Sequence, residues 1–297
     1  MSAPLLRNAR SSSLVIKSPA KVNLRLEVLG RRPDGYHDIR SIMVPISLSD
    51  ALHIALTNDK RVQVSCNQAD LPVDDRNLAY RAGLLILQAT GKREGVQIRI
   101  RKRIPTGAGL GGGSSNAAST LLGLNRLLEA RLTRGDLIEM AVKLGADVPF
   151  FIVGRPALAT GIGERLEPLA GLPRFWLVLV YPGISVSSRW AYERLNLWLT
   201  NSLDHINMPP FSWDISNLRR FLRNDLETGV IEKYPILRWI KRRLLDLGAA
   251  ACLMSGSGSA VYGVFSAREG ARQVCEQLKK EFRGRDWEVF LTRSVGS

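Results

Sequence analysis

The chain has 297 residues, 45% of them hydrophobic, with 42 Lys and Arg against 27 Asp and Glu and a formal net charge of +15. That hydrophobic share excludes a disordered or fibrous chain, the length allows two ordinary domains or one large one, and no apolar run approaches the roughly 20 residues that span a bilayer. The positive charge is dispersed over Arg31 and Arg32, Arg99 to Arg103, Arg219 and Arg220, and Lys241 to Arg243, with no RNP box or C2H2 finger, so it fits anionic small substrates or solubility, and specific nucleic-acid binding is not the expected function.

In chain order, no acid precedes Glu27, and serines 11–13 sit among basic residues, as in a transit peptide. A strand pattern already begins near Leu14, however, and leaves about a dozen residues, which is short for one. Residues 21–29, KVNLRLEVL, alternate strictly and predict a half-buried strand with Val22, Leu24, Leu26 and Val28 on its inner face. The turn Arg32-Pro-Asp-Gly35 follows. Residues 41–48, 51–56 and Val62–Cys66 are further β-rich runs, together an antiparallel meander. Residues 76–90 have helical spacing, with Gly91 as the stop. Residues 96–101 alternate and run into PTGAGLGGGSSNAAS (105–119). Residues 114–129 predict a helix with Ser114 or Ser115 near its N-cap, and Thr133 caps another that runs to Leu144. Gly145-Ala-Asp-Val-Pro149 breaks it.

The second half starts near residue 165. It predicts a strand at 175–181, a helical stretch from about 187, helices at 215–229 and 235–246, two β runs around the turn Ser255-Gly-Ser-Gly258, a helix at 267–283 and a strand at 287–292. Residues 195–215 are hard to place. Mixed elements with antiparallel runs give an α+β fold. Cys66, Cys252 and Cys275 are widely spaced without a C-x-x-C pair, which argues against disulfides and structural zinc. With His37, His53 and His205 scattered, no histidine metal site is expected, and the reading is a reduced cytoplasmic protein.

The glycine segment sits between a strand and a helix. Free N–H groups and the positive dipole end at a helix start make an anion site, and glycines let a phosphate approach. The Walker pattern G-x-x-x-x-G-K-[ST] is absent, as are the H-R-D and D-F-G segments of protein kinases. Gly107, Gly109 and Gly112 satisfy G-x-G-x-x-G, but the preceding meander and Ile104-Pro105 do not suit a parallel dinucleotide-binding unit.

Three ordered motifs are more specific. Pro105-Thr-Gly-Ala-Gly-Leu-Gly-Gly-Gly-Ser-Ser115 resembles the phosphate loop of the galactokinase, homoserine kinase, mevalonate kinase and phosphomevalonate kinase superfamily. Ser18-Pro-Ala-Lys-Val-Asn-Leu24 resembles its N-terminal motif, and Leu253-Met-Ser-Gly-Ser-Gly-Ser-Ala-Val-Tyr-Gly-Val-Phe265 its C-terminal glycine motif. Ser255 stands where threonine is common. Arg32-Pro-Asp-Gly-Tyr-His37 and Leu144-Gly-Ala-Asp-Val-Pro149 resemble the branch that phosphorylates a cytidine diphosphate-linked methylerythritol on its 2-hydroxyl, in the non-mevalonate isoprenoid precursor pathway.

The resemblance implies a ribosomal-protein-S5-domain-2-like ATP-binding domain over residues 1–165 and a ferredoxin-like substrate domain over 166–297, with the site between them. It implies ATP, held by Pro105, Thr106, Gly107, Ala108, Gly109, Leu110, Gly111, Gly112, Gly113, Ser114 and Ser115, with Asn77 at the adenine unless Asn77 is an ordinary helix cap. Mg²⁺ is expected chiefly through phosphate oxygens, and the sequence names no protein ligand for it. Asp147 is implied as the base and Lys21 as its charge partner; by residue type alone they read as a turn residue and a solvated lysine. Asn23 is implied near the substrate hydroxyls, Tyr36 and His37 at the cytosine, and Gly256 and Gly258 against the bound substrate. Tyr192 or Trp190 stacks on the second face of the base, or Tyr192 is a helix core residue. A monomer or weak homodimer is expected. The rivals are a mevalonate-type or homoserine-type kinase and a catalytically silent nucleic-acid binder.

Overall fold

A computed structural model describes residues 12–195 and 219–296. Residues 1–11, the segment 196–215 and the beginning of the expected helix at 215–229 lie outside the described residues.

β1 (Ser13–Arg31) and β2 (His37–Thr57) form a long antiparallel hairpin, from Ser13 opposite Ala55 to Arg31 opposite His37. The turn between them closes through Arg32 N to Tyr36 O at 2.8 Å. Residues 41–48 and 51–56 are thus one strand, and the register shift near Pro19 and Ala20 falls where the β pattern breaks. β3 (Val62–Cys66) and β4 (Gly95–Arg101) pair in parallel, which corrects the meander. The helix α1 (Leu78–Thr90) lies between them in the chain and supplies the crossover a parallel pair needs. β5 (Ala157–Thr160) and β6 (Arg165–Pro168) extend this first sheet, so it runs past residue 165.

α2 (Gly112–Leu127), α3 (Arg134–Leu144) and α4 (Val148–Val153) join α1 on one face of that sheet. Ile86, Leu121, Leu124 and Phe150 bury there against Leu52, Ile54 and Ile98. The expected cap Thr133 opens α3 with a reciprocal Asp136 bond.

The second sheet holds β7 (Trp176–Tyr181), β9 (Ala251–Met254), β10 (Val261–Phe265) and β11 (Glu288–Arg293) in the order β11-β7-β10-β9, all antiparallel. This is the order of a ferredoxin-like unit. β7 is apolar throughout because both of its faces are covered. Val178 and Val180 meet α7 (Ile236–Asp246) and α8 (Arg268–Glu281), while Leu177 and Leu179 pack with Val22, Leu24, Val44 and Ile46 of the hairpin. β1 is therefore covered on both faces over residues 20–28 and not half-exposed there, and Tyr262 at the junction donates its hydroxyl to Asn23 O at 2.8 Å.

The expected helix at 215–229 is broken by β8 (Arg223–Asn224), which pairs in parallel with Arg25 and Leu26. Asn224 causes the break. Its side chain donates to Met254 O and Gly256 O and accepts from Leu226 N, so α6 starts only at Glu227 (Glu227–Lys233). α5 (Ser188–Glu193) is capped by Ser187.

Candidate active site

A cavity of about 990 Å³ takes its walls from both halves of the chain. One end is the glycine segment after β4. Gly111 is the N-cap of α2, in the left-handed region at φ 69° and with no side-chain cap bond. The expected cap serines instead lie within the first turn, because the chain takes its left-handed step at Gly111, which a glycine accepts without strain and a serine does not. The first bond of the helix runs from Ser115 N to Gly111 O at 2.9 Å. The N–H groups of Gly112, Gly113 and Ser114 are therefore left to a ligand, and all three residues line the cavity.

Pro105, Thr106, Gly107, Ala108, Gly109, Leu110 and Gly111 also line it. Ser115 does not: its hydroxyl accepts from Ser18 Oγ at 2.8 Å behind the loop. The loop's carbonyls are held one by one. Gly107 O accepts from Val186 N, Ala108 O from Ala260 N, Gly109 O from Ser255 Oγ and Leu110 O from Lys21 N, at 3.0–3.2 Å. At Gly109, φ is 76° and a Cβ would stand 2.1 Å from Ser255 O. The two glycine segments touch there, with no room for any side chain.

At mid-cavity, Lys21 Nζ lies 3.7 Å from Asp147 Oδ2 and donates to Asn23 Oδ1 at 2.6 Å. Asn23 is fixed by Ser41 Oγ at 2.7 Å. The lysine is buried in the cavity wall, not solvated. Asp147 stands at the N-cap position of α4, yet its side chain makes no cap bond. It is one-third exposed and its carboxylate reaches into the cavity. Gly256 closes over Lys21 and Asn23: a Cβ there would lie 3.2 Å from Lys21 Nζ and 3.3 Å from Asn23 Oδ1. Gly258 is not among the lining residues; a Cβ on it would meet Met254 Sδ at 2.5 Å, so it serves the turn.

The other end holds Tyr36, which is 59% exposed, and His37, whose ring stacks on Tyr192 at 5.2 Å and 21°. Burial, with Arg31 nearby, holds the His37 imidazole below its ordinary range. Burial first, and then the Asp147 charge, push the Tyr192 phenol well above its own. Trp190 is outside the cavity. Its ring packs edge-on to Tyr234 at 6.2 Å under the Lys233 ammonium at 4.2 Å, because it falls on the opposite side of α5 from Tyr192. Asn77 lines the cavity but caps α1: it accepts from Ala79 N at 2.9 Å and donates to Pro72 O at 2.7 Å.

Sequence reasoning missed the polar cluster beneath the loop, made of Ser18, Asp50, Lys102 and Asn116. Lys102 Nζ reaches Asp50 Oδ2 at 2.6 Å, and both side chains are buried. The available signal was an acid inside a long apolar β run. Among the described residues no group of three or more His, Cys, Asp or Glu side chains could hold a metal ion.

Residues 77–155 match the GHMP kinases N terminal domain, and residues 213–284 match the GHMP kinases C terminal domain. The chain is 45% identical over 278 residues to the 4-diphosphocytidyl-2-C-methyl-D-erythritol kinase of Syntrophotalea carbinolica, covering 94% of this chain and 98% of that one. It is 46% identical over 283 residues to the enzyme of that name from Geobacter metallireducens, covering 95% and 99%. The crystal structure of a 4-(cytidine 5'-diphospho)-2C-methyl-D-erythritol kinase superposes with a TM-score of 0.77 at 37% identity, over 95% of this chain and all of that one.

Proposed function

The chain belongs to the GHMP kinases, and within them to the family of 4-diphosphocytidyl-2-C-methyl-D-erythritol kinases, and on that premise we propose that it transfers the γ-phosphoryl group of ATP to the 2-hydroxyl of 4-diphosphocytidyl-2-C-methyl-D-erythritol. The observation that carries the reading is the position of the Lys21 and Asp147 pair. It stands in one cavity between a phosphate-type loop and an aromatic end.

Asp147 Oδ2 takes the proton of the acceptor hydroxyl. The hydroxyl oxygen forms a bond to the γ-phosphorus while the bond to the β,γ-bridging oxygen breaks, and ADP leaves. Such transfer is mostly positioning and charge stabilisation. The Lys21 ammonium holds Asp147 ionised and offsets the charge developing on the attacking oxygen. The N–H groups of Gly112 to Ser114 hold ATP phosphates. Asn23 acts by orienting Lys21, since its carbonyl oxygen is taken by that ammonium. Tyr36, His37 and Tyr192 receive the cytosine; Gly256 keeps the wall thin over the reacting atoms.

Mg²⁺ accompanies ATP and lowers the phosphate charge, bound chiefly by phosphate oxygens; the described side chains build no cage for it. The division between ATP-binding and substrate-binding halves lies near residue 165. A monomer or weak homodimer in the cytoplasm completes the proposal. The deciding experiment is phosphoryl transfer from ATP, run with 4-diphosphocytidyl-2-C-methyl-D-erythritol beside mevalonate and homoserine. Turnover of either rival at a comparable kcat/KM overturns the assignment of the acceptor.

A further inference from the structure

Asp50 sits on β2 directly opposite Ser18 on β1, at the base of the glycine loop. Its side chain is fully buried. Oδ1 accepts from Arg103 N at 2.7 Å and Ile104 N at 2.9 Å, the two residues that lead into the loop. Oδ2 accepts from Lys102 Nζ at 2.6 Å and from Asn116 Nδ2 at 2.9 Å, the latter on the helix that leaves the loop. All four acceptor sites of the carboxylate are occupied. Asn116 also donates to Ser18 Oγ at 2.9 Å, and that hydroxyl donates to Ser115 at 2.8 Å. One carboxylate and one hydroxyl thus tie both ends of the loop to the hairpin.

The charges are arranged to match. The Lys102 ammonium lies under the first turn of α2, where a Cβ on Gly112 would be 2.7 Å from it. A cation at the positive end of a helix is repelled unless an anion stands by, and Asp50 is that anion. Between the tied ends run five glycines within residues 107–113, a stretch with a high entropic cost of ordering.

We propose that Asp50, with Lys102 and Asn116, is a positioning group that closes the base of the loop and orders it before nucleotide arrives. Asp50 acts through the loop and does not line the cavity, whereas Lys102 and Asn116 also show a face to it beside Gly112. The proposal rests on the reading of the loop as the ATP phosphate site, and it deepens that reading.

Removing one partner of a buried ion pair leaves the other uncompensated, whereas removing both is close to neutral. The test is therefore the double variant Asp50→Asn/Lys102→Met, with Asn116→Ala as a second variant that leaves the ion pair intact. Amide hydrogen exchange is measured on nucleotide-free protein, and KM for ATP and for the acceptor with kcat on the active enzyme. The expected result is faster exchange confined to residues 105–115 and a KM for ATP raised about tenfold in the double variant, with the acceptor KM unchanged. Asn116→Ala shows the same pattern to a smaller extent. Unchanged loop exchange and ATP KM in a folded variant overturn the proposal, as does exchange that rises throughout the chain. Should wild-type protein bind no ATP, the phosphate-site reading fails, while loop exchange still judges the closure by itself.

Discussion

The Lys21 ammonium stands 3.7 Å from the Asp147 carboxylate, with one third of the Asp147 side chain open to the cavity. Lys21 is fixed by Asn23 and, through its backbone N–H, by Leu110 O, so the strand that carries the lysine also sets the phosphate loop. Because Asp147 makes no cap bond, Asn at that position leaves the start of α4 unchanged. We expect Asp147→Asn to fold and bind ATP as wild type does, with kcat lowered about 10²- to 10⁴-fold. Calorimetric ATP binding beside turnover checks this, and near-normal turnover would remove Asp147 as the base.

The two glycine segments give a prediction that separates space from flexibility. Gly109→Ala places a methyl 2.1 Å from Ser255 O on a left-handed backbone, so it is expected to destabilise by at least about 2 kcal/mol. Gly113→Ala places its methyl no nearer than 3.9 Å to Leu78 Cδ1, inside a helix where Ala is favoured over Gly by about 1 kcal/mol. Thermal melts should show Gly109→Ala well below wild type and Gly113→Ala at or above it. The opposite order would mean that the segments do not touch at Gly109.

Tyr192 and Trp190 are two residues apart on α5 and serve different sides of it. Tyr192 faces the cavity against His37, while Trp190 packs with Tyr234 and Lys233. Stacking on a base is worth about 1–3 kcal/mol, so Tyr192→Ala should raise the acceptor KM about tenfold and leave the ATP KM alone. Tyr192→Phe should restore it. Trp190→Leu should lower the melting temperature with little change in either KM. If Trp190→Leu instead raises the acceptor KM alone, the assignment of the two rings is reversed.

Much of this site was legible from residue order because local patterns carry it. The strand, loop and helix around residues 96–127 follow from alternation, a glycine cluster and helical spacing, and Thr133 follows from its cap. What did not show in the sequence depends on contacts between distant segments. Lys21 looks like a solvated lysine until the second sheet covers the hairpin. The parallel pairing of β3 and β4 follows from α1 crossing between them, which residue type does not announce. Asn224 ends a helical pattern only because Met254 and Gly256 offer it carbonyls. Asp50 gains its role from four partners 52 to 66 residues away.

His37 supplies the pH dependence. Burial, with Arg31 close by, lowers its pKa in the folded protein below the ordinary value of 6.5. The unfolded chain therefore takes up a proton first as pH falls, and unfolding free energy rises with pH in that window. The neutral ring's contribution is fully present above pH 6.5 and is lost as pH falls through the lowered folded value. Since the same ring lines the acceptor end beside Tyr36 and Tyr192, the acceptor KM should rise over the same acid range while the ATP KM stays flat. His37→Gln should flatten both the acid limb of the acceptor KM and this share of the stability slope. Denaturant melts and initial rates of the two proteins between pH 5 and 7.5 measure it. Identical acid limbs in wild type and His37→Gln would assign the dependence to another group.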